Sequence, residues 1–383
     1  MCIDFCASML YSKAMYQIEN SGELLKDKRN AVRNGVGRAK LAPTVLLLGL
    51  TSFLTDISSE MVATLGYGLS ALSRPALLLV GANWNALAGV ILVDRIGKGI
   101  RTAPRDAMIA ASTPMDRLAT AFGVHRAMDT AGAMIGPLLA AGILWLTTQA
   151  YDAVFVVSFC FALIGVAVIA TFVRTPVTAE ATAARSESLR NSLALLTVPN
   201  FRLLVLSGSL LALATISDNF LYLTLQEQLQ LSQSLFPLFY VSVALIFMLF
   251  AIPVGRLADR LGRRSIFGAG YIMLIAAYGL VWGNTSSVML VALALVLIGL
   301  YYAATDGVLT AMASVHLPAN LRSSGLALLA TGIGLARLCA STLYGWVWGM
   351  WGSQAAVGVF MVGIIVATWI GWWFLWNVET KEG

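Results

Sequence analysis

A succession of apolar runs, each about 20 residues long, constrains this chain more than any other feature. A helix of that length crosses the roughly 30 Å hydrocarbon layer of a bilayer. Hydrophobic residues fill 58% of the 383 positions and charged residues only 11%, which is more apolar surface than a soluble domain can bury. We therefore predict an all-α, polytopic membrane protein with about 11 transmembrane helices, near 41–61, 62–82, 84–103, 119–146, 152–173, 203–226, 234–254, 265–283, 287–310, 323–349 and 354–377.

Basic residues lie in alternate loops, and this alternation indicates the topology. They concentrate in 101–126, 174–202, 256–264 and 316–322, whereas the loops between carry none. The positive-inside rule places basic loops in the cytoplasm. We predict a multi-pass protein of the bacterial inner membrane with a cytoplasmic C-terminus, and the net charge of +6 is not evidence for nucleic-acid binding.

A basic decapeptide, Gly255-Arg-Leu-Ala-Asp259-Arg260-Leu-Gly262-Arg263-Arg264, interrupts the apolar sequence. It resembles the signature G-x-x-x-D-R-x-G-R-[KR] of the major facilitator superfamily of secondary transporters. Gly255 and Gly262 are expected to permit a tight turn, and Asp259 to accept hydrogen bonds from Arg263 and from the N-terminus of the next helix. The resemblance implies a gating loop that latches the cytoplasmic side, and a purely topogenic basic loop is the alternative.

A second motif surrounds Arg95, Lys98 and Arg101 in the span 84–103. It resembles the fourth-helix pattern R-x-x-[QK]-G-x-[GR]-x-A of the same superfamily, with Ala103 at its last position. Ionised residues inside a span cost about 2.5–3.5 kcal/mol each, so they either line a watery cavity or snorkel to a helix end. The resemblance implies a role for Arg95 in proton coupling.

A third motif lies in the span 119–146, where Gly123, Gly132, Gly136 and Pro137 resemble the antiporter pattern G-x8-G-x3-G-P-x2-G-G, with alanines at the final pair. Glycines one turn apart allow close helix packing, and proline removes a backbone donor and bends the helix. The motif predicts a hinge for alternating access, with a simple packing seam as the alternative.

Several acidic residues in the spans are candidates to carry protons. Asp56 and Glu60 lie one turn apart, and Asp218 is a related acid in the second half of the chain. Asp129 is predicted either to line the cavity or to pair with Arg126 three residues earlier.

Two further charged residues complete the predicted cavity. Asp306 stands opposite Arg101 when the two halves are aligned, and we hypothesise that they form a pair that transport breaks and remakes. Arg337 has no acidic residue within a turn, so it needs a partner on another helix or a substrate anion.

Short motifs recur in the two halves and reveal a difference in length. Ile57-Ser58 matches Ile216-Ser217 at an offset of 159 residues, whereas Gly66-Tyr67 matches Gly270-Tyr271 at an offset of 204. The first half therefore lacks about 45 residues between Glu60 and Gly66, which correspond to its second helix and its own copy of the basic loop. The predicted organisation is a cytosolic tail (1–40), an incomplete helical bundle (41–173), a central linker (174–202), a six-helix bundle (203–377) and a short tail (378–383).

The resemblance implies a secondary transporter rather than an enzyme. It would move a small solute with protons by alternating access through a two-bundle fold of twelve helices minus one. Efflux by antiport is favoured over uptake by symport because of the third motif, and a degenerate protein that no longer transports is the other alternative. We expect a monomer in contact with membrane lipid, with no nucleic acid, cofactor or metal, since His125 and His316 both fall in predicted cytoplasmic loops.

Overall fold

The computed structural model describes residues 50, 102–147, 151–172, 193–230, 236–283 and 287–378. All of them belong to the unit Ala42–Gly383. The described part of the chain consists of helices and the turns between them, without a strand, which confirms the all-α prediction. The predicted spans 41–61 and 62–82 and most of 84–103 lie outside the described residues. Residues 174–192 of the predicted linker 174–202 lie outside them too. The predicted domain boundaries therefore stay predictions.

The helices follow the apolar runs closely. Within the described residues, six stretches are long and apolar enough to cross a membrane: Met115–Leu146, Pro199–Leu229, Phe236–Leu261, Arg263–Trp282, Val288–Val315 and Ala319–Trp376. We number the helices in chain order as α1 (102–111), α2 (Leu118–Leu146), α3 (Tyr151–Phe172), α4 (Pro199–Leu213), α5 (Asp218–Leu229), α6 (Phe236–Leu261), α7 (Arg263–Trp282), α8 (Val288–Val315) and α9 (Arg322–Trp376).

Helix α9 contains the last two predicted spans. Its backbone leaves the helical conformation at Gly352, where φ is 84° and ψ is 169°. A positive φ favours glycine because a Cβ atom would clash there. The helix is therefore interrupted at Gly352, between the predicted spans 323–349 and 354–377, as the sequence indicated.

The predicted span 203–226 is wrong in one respect, because the helix is broken. Helix α4 ends at Leu213 and α5 starts at Asp218. Within the break, the Ile216 N–H donates to the hydroxyl of Tyr278 over 2.8 Å. Tyr278 is fully buried on α7, and its hydroxyl supplies the acceptor that a continuous helix would have provided.

The turn before α2 is also much shorter than predicted. Residues 102–111 are helical, so the predicted loop 101–126 is confined to the few residues before Leu118. His125 is therefore not in a loop: it lies inside α2 and is fully buried. His316 does follow the end of α8, as predicted.

Small residues set the packing of the central helices. Helix α6 packs against α2 and α8, α7 against α8, and α4 against α9. A Cβ at Gly299 of α8 would lie 2.6 Å from Ile246 of α6, and one at Gly270 of α7 would lie 2.8 Å from Thr305 of α8. The absence of a side chain at these positions lets the helices approach closely, as in other membrane bundles.

Candidate functional site

Asp259, near the end of α6, binds the first turn of α2. Its carboxylate accepts hydrogen bonds from the Ala119 N–H (3.1 Å), the Thr120 N–H (2.7 Å) and the Thr120 hydroxyl (2.7 Å). The first N–H groups of a helix lack intrahelical acceptors and carry partial positive charge, so a carboxylate is a favourable partner. The prediction that the second partner of Asp259 is the helix after the decapeptide is wrong, because these donors belong to α2.

Arg263 completes this contact. Its Nε and Nη2 atoms donate to Asp259 Oδ1 over 3.1 and 3.0 Å, and Nη2 also donates to the Met115 carbonyl. This ion pair was predicted and is confirmed. We call the contact between Asp259, Arg263, Met115, Ala119 and Thr120 the latch, and the end of the bundle where it lies the basic end.

The two glycines that flank the latch meet the opposite backbone. A Cβ at Gly123 of α2 would lie 2.5 Å from the Ala251 carbonyl oxygen, and one at Gly255 of α6 would lie 2.6 Å from the Ala119 carbonyl oxygen. The prediction that Gly255 permits a turn is wrong: it lies inside α6 and allows backbone contact with α2. Gly262 alone makes the turn, with a φ of 96°.

The other residues of the decapeptide lie away from the latch. Arg264 donates to the Val378 carbonyl at the C-terminal end of the described chain, and Arg260 is exposed. The predicted gating loop is thus mostly helical, with a single non-helical residue.

Arg126 of α2 joins three carboxylates from different helices. Its guanidinium lies 3.2 Å from Asp306 of α8, 3.5 Å from Asp106 of α1 and 3.8 Å from Asp129 of α2 itself. The predicted pairing of Asp129 with Arg126 is therefore confirmed. Asp306 has Arg126 as its partner, while Arg101, to which the hypothesis assigned it, lies outside the described residues.

Arg105 and His125 extend this group of charges. Arg105 lies 3.1 Å from Asp106 and 3.4 Å from Asp129. The Nε2 atom of His125 lies 3.5 Å from Asp129, and neither ring nitrogen forms a hydrogen bond with a described residue. We call Arg105, Asp106, His125, Arg126, Asp129 and Asp306 the charge cluster.

A cavity of about 230 Å³ lies between the charge cluster and the middle of the bundle. Asp106, Arg126 and Asp306 line one part of it, and Arg337 lines another. Much of the remaining wall is apolar or aromatic: Ala212, Phe267, Tyr271, Tyr301, Tyr302, Leu309, Leu326, Leu329, Ala330 and Ile333. The cavity combines a few charged groups with an apolar wall, as small-molecule sites usually do.

Asp218 forms a hydrogen bond with Tyr302, which lines this cavity. The Tyr302 hydroxyl donates to Asp218 over 2.6 Å, and Asp218 also interacts electrostatically with Arg337. Asp218 is the first residue of α5, so the break in the helix places it within the bundle.

The structure brings together Asp129, Asp218, Asp306 and Arg337 from the predicted set. Asp56, Glu60, Arg95, Lys98 and Arg101 lie outside the described residues. Gly132 and Gly136 are buried in α2, which remains helical through Pro137, so the predicted hinge stays a prediction.

The sequence analysis missed Arg105 and Asp106 as candidate residues, and also Tyr271, Tyr301 and Tyr302 of the cavity wall. The spacing of His125 and Asp129, one turn apart inside an apolar span, was a signal for the charge cluster. For the tyrosines, no comparable signal exists, since aromatic residues are common in such spans.

Comparisons with known sequences agree with one another. A family model described as Major Facilitator Superfamily matches residues 41–248 and, in a second match, residues 203–383. An uncharacterised MFS-type transporter of Methanocaldococcus jannaschii is 27% identical over 379 residues, covering 84% of this chain and 92% of that protein. An uncharacterised protein of Mycobacterium tuberculosis is 36% identical over 122 residues, covering 31% of this chain and 29% of that protein.

The alignment with the archaeal relative includes positions at which this chain has no residue. It is 379 positions long, but 84% of 383 residues is about 322, so 379 less 322 leaves about 57 positions without a counterpart in this chain.

Solved structures share the fold at low sequence identity. The human organic anion transporter MFSD10 (TETRAN) has a TM-score of 0.67 and 17% identity, covering 86% of this chain and 82% of that chain. A bacterial homologue of the iron transporter ferroportin, in an outward-facing state, has a TM-score of 0.59 and 18% identity, covering 86% and 89%. The Escherichia coli fucose:proton symporter has a TM-score of 0.58 and 12% identity, covering 86% of each chain.

Proposed function

This chain belongs to the major facilitator superfamily and is a membrane transporter, and from that premise we propose that it moves a small organic solute by proton-coupled alternating access. The family indicated by the sequence motifs is thus confirmed, whereas the coupling ion, the direction and the site residues are our proposals. The observation that carries the proposal is a latched basic end beside a charged cavity.

The latch and the cavity involve the same helices. Helix α2 contacts α6 through Asp259 and the two glycines, and it contacts α8 through Arg126 and Asp306. Opening the basic end would separate α2 from α6 and break these contacts together. The structure thus fits one state of a cycle in which the solute reaches the cavity from one side at a time.

Asp218 and the charge cluster supply groups for proton coupling. A carboxylate inside a bundle can exchange a proton when its surroundings change between two states. Among the described residues, Asp218 accepts a hydrogen bond from the Tyr302 hydroxyl and interacts with Arg337 through space. Asp218 is therefore our candidate for the carrier.

Two directions of coupling have support. Efflux by antiport is favoured by the motif at Gly123, Gly132, Gly136 and Pro137. Uptake by symport is favoured by the proximity of Asp218 to Arg337, because a solute that neutralises Arg337 would promote protonation of Asp218. The sign of proton movement on addition of solute to inverted vesicles decides between them.

We propose the bacterial inner membrane as the location, with the basic end and the C-terminus in the cytoplasm. The alternation of basic loops supports this orientation. Reporter fusions after Gly383 that are active only in the cytoplasm or only in the periplasm test it. The protein would work as a monomer surrounded by lipid.

The shorter first half raises the alternative that the chain no longer transports. About 57 positions of the archaeal alignment have no residue in this chain, a total large enough to include the predicted absence of about 45 residues near 60–66. Counterflow in proteoliposomes, with a panel of organic acids, amines and neutral solutes, separates the two possibilities. Exchange of at least one solute is expected, and exchange of none would refute transport.

The Asp218→Asn variant tests the proton carrier. Amide replacement keeps the shape and an acceptor for Tyr302 but removes the titrating group. We expect solute-driven proton movement to be lost while membrane insertion and counterflow exchange persist. Asp152→Asn, an exposed residue at the start of α3, is the matched control and should couple normally. Unchanged coupling in Asp218→Asn would exclude it as the carrier.

A further inference from the structure

We infer that Arg337 binds the negatively charged group of the solute, so that the substrates are small organic monoanions with an apolar body. This inference rests on the proposed transport function, and it adds the chemical class of the solute.

Arg337 differs from the arginines of the charge cluster and the latch. Arg105, Arg126 and Arg263 all form ion pairs with carboxylates. Arg337 lies in the middle of the first arm of α9, is exposed and lines the cavity, and within the described part of the chain it forms neither an ion pair nor a hydrogen bond. An ionised arginine inside a membrane span is costly, and a water-filled cavity or an anionic ligand compensates for it.

The surroundings of Arg337 suit a carboxylate. A guanidinium binds a planar carboxylate with two parallel hydrogen bonds. Tyr271, Tyr301 and Tyr302 interact with Arg337 electrostatically, and their rings pack against one another with centroids 5.2 and 5.0 Å apart. These rings form an aromatic wall beside the guanidinium.

Arg337 is one guanidinium, so it offers a site for one negatively charged group of the solute. Within the described residues, Asp306 shares Arg126 with Asp106 and Asp129, and it also interacts with Arg337 through space. Asp218, the other carboxylate that interacts with Arg337, is held by Tyr302. If Asp218 takes up a proton, Arg337 loses one of the two carboxylates that interact with it among the described residues, and the carboxylate of a solute can take that place. A proton and the anion therefore bind together more favourably than either alone.

The size and lining of the cavity define the rest of the solute. Leucine and isoleucine side chains from α8 and α9, such as Leu309, Leu329 and Ile333, lie with Phe267 along the wall. The volume of about 230 Å³ is below the roughly 300–1,000 Å³ of sites for drug-sized ligands. A single aromatic ring or a short branched chain with one carboxylate fits this description.

Three ring compounds of nearly equal size test the inference. Benzoate is an anion, benzamide is neutral and benzamidine is a cation, so their comparison isolates charge. We would measure equilibrium binding to the purified full chain in detergent, and counterflow of the radiolabelled compounds in proteoliposomes. Wild-type protein is expected to bind benzoate at least tenfold more tightly than benzamide and to exchange it, and to discriminate against benzamidine.

The variants Arg337→Gln and Arg337→Lys test whether Arg337 causes the preference for the anion. Arg202→Gln, on the exposed side of α4, is the matched control. Loss of a charged hydrogen-bonding group predicts that Arg337→Gln weakens benzoate binding by about tenfold or more and leaves benzamide binding unchanged. Arg337→Lys keeps the charge without the paired geometry and should be intermediate, while Arg202→Gln should match the wild type.

The outcomes separate the inference from the proposed function. Equal benzoate affinity in wild type and Arg337→Gln, or wild-type preference for benzamide or benzamidine, would overturn the anion site. Exchange of amines or neutral solutes without any organic acid would overturn the substrate class and leave transport intact. Absence of exchange for every solute, with benzoate binding retained, would overturn transport and leave the anion site.

Discussion

Replacing Gly123 with alanine should push α2 away from α6 at the latch. The added Cβ would lie 2.5 Å from the Ala251 carbonyl oxygen and 3.2 Å from its carbonyl carbon, whereas ordinary contacts lie at about 3.5–4.0 Å. The obstacle is backbone, so no side chain can move aside. The two helices must therefore separate by about 1 Å wherever they touch in the latched state.

The size of the expected shift from the latched to the open state follows from the cost of overpacking. Inserting a methyl group into a well-packed interior costs about 1–3 kcal/mol. In the proposed cycle the open state lacks this contact, so the ratio of latched to open molecules should fall by about 5- to 150-fold. Gly142→Ala is the matched control on the same helix, because nothing lies within 4 Å of a Cβ at Gly142.

Distances between two spin labels measure this shift. Met115 and Leu261 are 59% and 63% exposed at the basic end, and they lie beside α2 and at the end of α6. With labels at both positions in a cysteine-free background, Gly123→Ala should increase the population with a long distance, and Gly142→Ala should reproduce the wild-type distribution. Identical distributions for the two alanine variants would refute the idea that this glycine holds the latch by close approach.

Two further predictions use the same structure. Asp259→Asn removes the charge that binds the first turn of α2 and Arg263; because charged hydrogen bonds contribute about 1.5–3 kcal/mol, the long-distance population of the same spin-labelled pair should rise about tenfold or more, and an unchanged population would contradict a role for Asp259. Asp152→Asn serves as its control. Gly270→Ala places a Cβ 2.8 Å from Thr305 and 2.9 Å from Ala304, whereas Gly279→Ala meets nothing within 4 Å. Gly270→Ala should therefore lower the melting temperature in detergent by an amount equivalent to about 1–3 kcal/mol, while Gly279→Ala should be neutral or stabilising through its helix propensity. Equal melting temperatures would show that α7 and α8 are not in tight contact.

Hydropathy was sufficient to predict most helices because each span must satisfy its own backbone hydrogen bonds in lipid. The predicted span 119–146 differs by one residue at its start from the helix Leu118–Leu146. The predicted end of the span 287–310 falls short of Val315, where α8 ends.

Hydropathy could not predict the break between α4 and α5. The sequence there is apolar enough to continue a helix, and the group that stabilises the break, Tyr278, lies 62 residues later. A local pattern carries no information about such a partner.

The site was predicted only where the partners are close in sequence. The pairs Asp259 with Arg263 and Arg126 with Asp129 follow helical spacing. The partners of Asp259 on α2 lie about 140 residues away, and Arg126 meets Asp306 only through the packing of α2 against α8. Residues that act across the bundle need the three-dimensional structure to be identified.

The hydroxyl of Tyr278 also has a mechanical consequence. Because it accepts a hydrogen bond from the Ile216 amide between α4 and α5, α5 cannot rotate freely about the break. Any tilt of α5 must either move α7 with it or break one buried hydrogen bond. We therefore expect Asp218, at the start of α5, and the turn at Gly262, at the start of α7, to move together. Protonation near the cavity would then change the position of the opposite end of α7.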